Sequence, residues 1–180
     1  MLRETLMALA VAAAPIVSAA PTLAPEVTAR VPLLAALAAD WAERFAAESL
    51  AAGRPLTPAQ RELARRVGVR DPSRVRIRFV EELPAPSEPR LVAAAGRIGL
   101  VPQAASGMTL GYAVILRRDS EADTRLLSHE LRHVAQYESS GGIRPFLAEH
   151  IGHLLQFGYE ASPFERDARA HEVGTDHFVR

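Results

Sequence analysis

The sequence predicts an α+β domain, predominantly helical, with a small antiparallel sheet beside one central helix. Three observations carry this. Residues 126–137, L-L-S-H-E-L-R-H-V-A-Q-Y, have the periodicity of an amphipathic helix. Arg74 to Val80 alternates Arg74, Arg76 and Arg78 with Val75, Ile77 and Phe79, the two-residue period of a strand. Met108 to Leu116, M-T-L-G-Y-A-V-I-L, is a second apolar run of strand length.

A chain of 180 residues is normally one domain with a sizeable core. Residues 1–30 are set apart as a leader with a linker, and residues 31–180 as a single domain. Leu6 to Val17 is an apolar run behind Arg3, and Val17-Ser18-Ala19 offers a small-residue cleavage point after Ala19. Glu4 and Pro15 weaken the pattern, but an exported protein is read ahead of a cytosolic one. At about a dozen residues the run is too short for a ~30 Å hydrocarbon core, so any membrane contact is confined to this segment, and only if it stays uncleaved. Pro21 and Pro25 mark the linker.

Val31 to Ala52 reads as a helix ended by Gly53, with Leu34, Leu37, Trp41, Phe45 and Leu50 as its apolar stripe. Such a stripe is usually core. Thr57-Pro58-Ala59-Gln60 is a capping box with Pro in the first turn, opening a short helix to about Val67. The three arginines of the first strand are taken as a solvated face that discourages sheet aggregation. Leu83 to Pro89 is a loop, and Leu91 to Ile98 a short helix ending near Gly99. In the second strand Gly111 is read as a bulge or a point of close backbone approach.

Charge balances at 21 basic against 21 acidic residues, with the basic ones scattered, so the footprint of a nucleic-acid binder is missing. There is no cysteine, which removes disulfides, thiolate ligands and a thiol nucleophile together. A metal site must therefore use His and carboxylates.

His129, Glu130 and His133 form an H-E-x-x-H motif. On a helix, residues four apart share a face, so both imidazoles reach one metal ion while Glu130 leans over its open side. With 6 His in 180 residues, a shuffled sequence yields roughly 0.02 such matches. The motif helix is expected from Ser120, opening a capping box with Asp123, to Ser139 before Gly141-Gly142. Its wheel places His129, Glu130, His133 and Tyr137 on one side and Leu127, Leu131 and Val134 on the other.

A catalytic zinc needs a third protein ligand. The extended form with a further His fails, since Gln136 and Ser139 occupy the Gly and His positions. The ligand must come from a later helix. Ile143 to Phe157 offers Glu149, His150 and His153, and a further helix opens at Ser162-Pro163-Phe164-Glu165. There Glu165 is either the capping partner of Ser162 or the third ligand.

The run H-E-L-R-H-V-A-Q-Y-E, followed by G-Y-E-A-S-P-F-E-R-D-A-R-A, resembles the zincin-class zinc metallopeptidases in their Glu-ligand branch, and small bacterial zincin-like domains in particular. The resemblance covers about Arg74 to Glu172. It implies His129, His133 and Glu165 as zinc ligands and Glu130 as catalytic base, with peptide hydrolysis as the reaction and a protein or peptide as the partner. The strand before the motif helix would pair with an extended substrate. Three features depart from the pattern: Arg132 is charged, Arg169 stands where a second carboxylate is common, and Glu160 competes with Glu165 as ligand. Tyr159, Tyr137 and His153 are candidates to stabilise the oxyanion, with Tyr159 first.

A competing expectation is a zinc-stabilised interaction module without turnover, its fourth coordination position closed by His153 or His171. Arg132 and the short stretch after Glu172 support it. A third is a membrane-anchored partner protein organised by an uncleaved leader.

Overall fold

The structure, a computed structural model, describes residues 25–97 and 105–174. The leader, its cleavage point after Ala19, Pro21 and the helix end expected at Ile98 and Gly99 lie outside these residues. The fold is the expected one in class: α+β, dominated by helices, with a small sheet of four strands.

The linker expected at Pro25 is a helical turn, α1 (Pro25–Thr28). Helix α2 (Val31–Ala52) occupies the predicted span, but its deepest face differs from the predicted stripe. Leu34 of that stripe is buried, and with it Ala35, Ala39, Ala42, Ala46 and Ser49, which are spaced alternately four and three apart. Small side chains there bring the helix backbone close to its neighbours. Trp41 and Phe45, stacked with centroids 6.0 Å apart, pack from the rim instead.

After β1 (Arg54–Pro55), helix α3 (Pro58–Arg66) opens with the predicted capping box. Thr57 Oγ1 accepts from the Gln60 amide at 3.2 Å, and Gln60 Oε1 accepts from the Thr57 amide at 3.0 Å. Strand β2 (Arg76–Val80) follows, then α4 (Pro89–Arg97). The run expected to be one strand is a hairpin of β3 (Gly107–Leu110) and β4 (Ala113–Arg117). Its turn is Gly111-Tyr112, with φ of 63° at Gly111 and no positive φ at Tyr112. That sign pattern belongs to a type II′ turn, which takes glycine first. Gly111 therefore reverses the chain rather than bulging it.

The strand order is β1-β2-β4-β3, with antiparallel pairs at both ends and β2 parallel to β4 in the middle. The sheet is thus mixed, where a purely antiparallel one was expected. Parallel neighbours need a crossover of a dozen residues or more, which the loop, α4 and β3 supply.

The two faces of the sheet pack against different helices. Ile77, Val114 and Leu116 meet Leu127, Leu131 and Val134 of α5 (Thr124–Ser140). On the other side Leu110, Ala113 and Ile115 meet Ala42 and Ala46 of α2. Arg76 and Arg78 are in register with Ala113 and Ile115, hence on the α2 side. Instead of a solvated row, Arg78 donates to Ser49 Oγ at 3.3 Å and lies 5.3 Å from the Phe45 ring centre. Arg74 lies 3.9 Å over Tyr112. Aromatic faces hold these guanidiniums down.

Helix α5 starts later than predicted, because Asp123 is its N-cap, accepting from the Leu126 amide at 2.9 Å. Ser120 ends a 3-10 turn (Arg118–Ser120) and caps nothing. The stop is as predicted: Gly141 is left-handed, with Gly142 N–H bonding Tyr137 O at 2.9 Å and Gly141 N–H bonding Glu138 O at 3.4 Å. Helix α6 (Ile143–Ala161) breaks at Gly158, where φ is 74° and ψ 173°, so the predicted end at Phe157 is a sharp kink. Helix α7 (Pro163–Ala170) completes the fold. Among the described residues no helix is long and apolar enough to cross a membrane.

Candidate metal centre and active site

The motif residues are not on an open face. His129, Glu130, His133 and Tyr137 are all buried, as are Leu131 and Val134 behind them. One side of α5 rests on the sheet; the other is roofed by α6 and α7. Burial of four polar groups demands partners for each.

His133 Nδ1 lies 2.8 Å from Gln136 Oε1. The Gln136 amide nitrogen is already spent on two pure acceptors, Phe164 O at 2.9 Å and Asp167 Oδ2 at 2.7 Å. The Gln136 oxygen must then face His133, so Nδ1 carries the proton. His129 Nδ1 lies 3.1 Å from Glu172 Oε1, an acceptor, and is protonated for the same reason. Both imidazoles are thereby set to present Nε2 lone pairs inward.

These two Nε2 atoms are 3.1 Å apart. Each is 3.5 Å from a Glu165 oxygen, His129 from Oε2 and His133 from Oε1. A tetrahedral ion with bonds of about 2.0 to 2.2 Å has ligand atoms separated by roughly 3.3 to 3.6 Å. Lone pairs and a carboxylate aimed at one point repel unless a cation stands among them. A shared proton would serve one pair of atoms only, and Glu165 Oε2 is buried without a hydrogen-bond partner among the described residues. His129, His133 and Glu165 therefore make a group fit for a divalent metal, and their donor atoms all lie within 4.8 Å of one another.

The two roles open to Glu165 in the sequence are separated by α7. Ser162 stands at the N-cap, but its side chain makes no capping bond and its buried Oγ has no partner among the described residues. Glu165 turns instead to the imidazoles. Burial opposes its ionisation, yet the His129 contact and the neighbouring His133 and His150 imidazoles outweigh that and hold its carboxyl down at about 2. Glu160, the competing ligand, is exposed and pairs with Arg169 at 3.6 Å.

Glu130 lies beside the group with Oε2 accepting from Thr109 Oγ1 at 2.7 Å. Burial pushes its carboxyl up, against the pull of His133, His129 and the Thr109 bond. Room for it comes from β3. A Cβ placed on Gly107 would stand 2.5 Å from Glu130 Oε1 and 2.9 Å from Cδ, a distance no real side chain tolerates. Glycine at this strand position is a condition for the carboxylate being there.

Beyond the group lies a cavity of about 270 Å³, reached by Glu130, His133, Glu165, Tyr159 and His150 from one end. The oxyanion candidates separate here. Tyr137 has its hydroxyl committed to Thr109 O at 3.1 Å. His153 does not line the cavity. Tyr159 does, with its hydroxyl against Glu165; burial and that carboxylate raise its pKa. His150 lines it too, Nε2 3.7 Å from Glu165 Oε1, and burial, followed by the neighbouring His133, pushes its pKa down to about 4. His171 bonds Asp167 O at 2.8 Å and stays outside the metal group.

Sequence reasoning missed Gly107, Thr109, Gln136 and Glu172, and offered His150 only among the candidate third ligands. His150 had a signal: Phe146, His150 and Leu154 are four apart and share a face. Glu172 had none, because its approach to His129 depends on the chain after α7. That approach is fixed by Val173 N–H donating to Ser128 Oγ at 2.9 Å and by Arg125 bonding the same carboxylate. Arg132, a departure from the expected pattern, ties α5 to α7 through Asp167 at 2.7 and 3.1 Å and to Val67 O at 2.9 Å.

Comparison with curated proteins and with solved structures returned no match. Residues 55–141 match the model of a family described as the eCIS core domain. The match runs through β2, α4, the hairpin and α5 and stops before α6 and α7, so Glu165 is outside it. That family belongs to the zincin-like metallopeptidase clan, and the match supports a zincin-like domain.

Proposed function

We propose that the protein is a zinc-dependent peptidase, with His129, His133 and Glu165 holding the metal and Glu130 as general base. The observation that carries this is the convergence of both Nε2 atoms on the Glu165 carboxylate with Glu130 next to them at the cavity end. Zinc in such a site supplies a Lewis acid that polarises a carbonyl and brings the pKa of a bound water toward ~7.

The remaining chemistry belongs to the chain. Gln136 and Glu172 fix the imidazole tautomers and ring planes. Glu130, steadied at Oε2 by Thr109, accepts the proton of the attacking water and delivers it to the leaving amine. Tyr159 and neutral His150 stand where a developing oxyanion would need donors. Substrate backbone has a place along β3. The hairpin register turns the backbone groups of Gly107 and Thr109 away from β4, and of these the Thr109 carbonyl is already taken by Tyr137.

The deciding experiment is Glu130→Gln. It is isosteric, keeps the Thr109 contact and leaves the ligands alone. Stoichiometric zinc should persist while hydrolysis of unstructured protein substrates falls by about 10²- to 10⁴-fold, the scale of a lost general base. Parent-like activity in the variant, or a purified protein without zinc, removes the reading.

A second reading rests on His150, whose Nδ1 is buried without a partner among the described residues and whose Nε2 approaches Glu165. If His150 is a fourth ligand, the site is closed and the protein is a zinc-stabilised interaction module. Cobalt substitution distinguishes them: His150→Ala changes the visible spectrum of a four-ligand site and leaves that of a three-ligand site unchanged.

A further inference from the structure

Strand β3 is fastened to α5 at one residue and open at the residue two before it. Thr109 is held twice: its hydroxyl donates to Glu130 Oε2 at 2.7 Å, and its carbonyl accepts from the Tyr137 hydroxyl at 3.1 Å. Glu130 and Tyr137 are two helical turns apart, so they meet this strand residue from one face of α5. The Tyr137 side chain cannot swing away. It is 4% exposed and packs on the Phe146 ring of α6 with centroids 4.0 Å apart.

The two-residue turn after Leu110 pairs Leu110 with Ala113, and alternation along the ladder then bonds Met108 to β4 as well. Gly107 and Thr109 therefore turn their backbone groups outward. Gly107 presents both an N–H and a carbonyl; Thr109 presents an N–H, but its carbonyl is occupied. A peptide added to this edge, in either direction, brings two of its own N–H groups, two residues apart, toward these two carbonyls. The one facing Gly107 finds an acceptor. The other meets an oxygen already holding the Tyr137 hydroxyl, and a desolvated donor left without an acceptor is costly. A residue with no N–H escapes that cost, which is why proline is tolerated in strands only where its nitrogen has no partner to bond.

Resting on the peptidase reading above, we infer that Tyr137 determines specificity through the substrate backbone: by holding the Thr109 carbonyl, it makes the substrate position facing Thr109 accept proline, while the position facing Gly107 requires a backbone N–H.

The test uses the full zinc-loaded chain and blocked peptidyl hydroxamates of one sequence, each with a different backbone N–H replaced by an ester oxygen. That change deletes the donor and keeps the shape. Calorimetry should show one ester weakened about tenfold, because Gly107 O loses its partner. The ester two residues from it should bind at least as tightly as the all-amide compound. Tyr137→Phe removes only the hydroxyl and frees the Thr109 carbonyl, so in that variant the second ester should become about tenfold weaker than the amide. Equal losses for both esters, or a flat series, in the unaltered chain overturn the inference whether or not the variant folds. So does a Tyr137→Phe effect that falls equally on every analogue, the mark of a packing role alone. Quenched fluorescent peptides with proline at each position in turn are followed in parallel, and those with proline facing Thr109 should be cut while those with proline facing Gly107 are not. If the ester pattern is present but no peptide is cut, the role of Tyr137 stands and the peptidase reading falls. Cutting with a flat ester series has the opposite meaning, and absence of both binding and cutting overturns both.

Discussion

The two sides of this molecule are held together by different forces. Between α5 and the α7 segment the contacts are directional: Arg132 to Asp167, Gln136 to Phe164 and Asp167, His129 to Glu172, and Val173 to Ser128. Between α2 and its neighbours they are mainly small apolar surfaces, with one inner bond from Arg78 to Ser49 and with Arg144 of α6 reaching Asp40 and Glu43 at the exposed rim. Directional bonds fix orientation to a fraction of an ångström, which a metal site requires. Apolar packing fixes distance and volume but no rotation, which suffices for a pocket wall. Precision is concentrated where the ligands are.

Metal removal should expose this division most strongly. The inward lone pairs and the Glu165 carboxylate lose their cation, and at free zinc ~1,000 times Kd the linkage amounts to about 4 kcal/mol. Chelation should lower the melting temperature by several degrees and loosen α7 first. Hydrogen exchange faster in α7 than in α2 after chelation supports the comparison; uniform change breaks it.

Glu172→Ala should come next. It frees His129 to rotate, so zinc affinity drops about 10- to 100-fold, while the metal-free protein melts nearly where the parent does. An unchanged zinc affinity, measured by chelator competition, would show that the His129 ring is oriented by packing instead.

On the apolar side Ala42→Leu should reverse the pattern. Ala42 is 1% exposed, and overpacking there costs about 1 to 3 kcal/mol of stability with zinc affinity unaffected. Denaturant unfolding with and without zinc separates the two quantities. Smallest of all, Arg144→Ala removes an exposed ion-pair cluster and should shift the melting temperature by little, the shift vanishing in high salt.

Local signals in the sequence were read well, and distant ones were not. The Thr57 capping box, the span of α2 and the Gly141 stop depend on residues within a turn of one another, and all are present. That the motif imidazoles and Glu165 come together was legible because helix spacing and the demand for a third ligand act as independent constraints. The hairpin was hidden because Gly111-Tyr112 sits inside a continuous apolar run, where a two-residue reversal leaves no polar mark. The parallel pairing of β2 with β4 depends on what α4 does between them. Burial of the motif face was invisible too: the wheel distinguishes polar from apolar sides, but not a solvated polar side from one roofed by later helices. Glu172 needed both the fold of α7 and the turn after it.

Gly107 has a consequence for anyone wishing to study what the protein captures. A methyl group at this strand position would evict the Glu130 carboxylate, whose atoms are the three nearest it would meet. On the proposed function, Gly107→Ala should therefore displace Glu130 while leaving the residues of the metal group in place, a substrate trap made without altering any residue of the H-E-x-x-H sequence. Because the substitution lies on the strand and the proposed base on the helix, the side chain that glycine lacks serves as a genetic handle that separates holding a chain from the proposed cleavage.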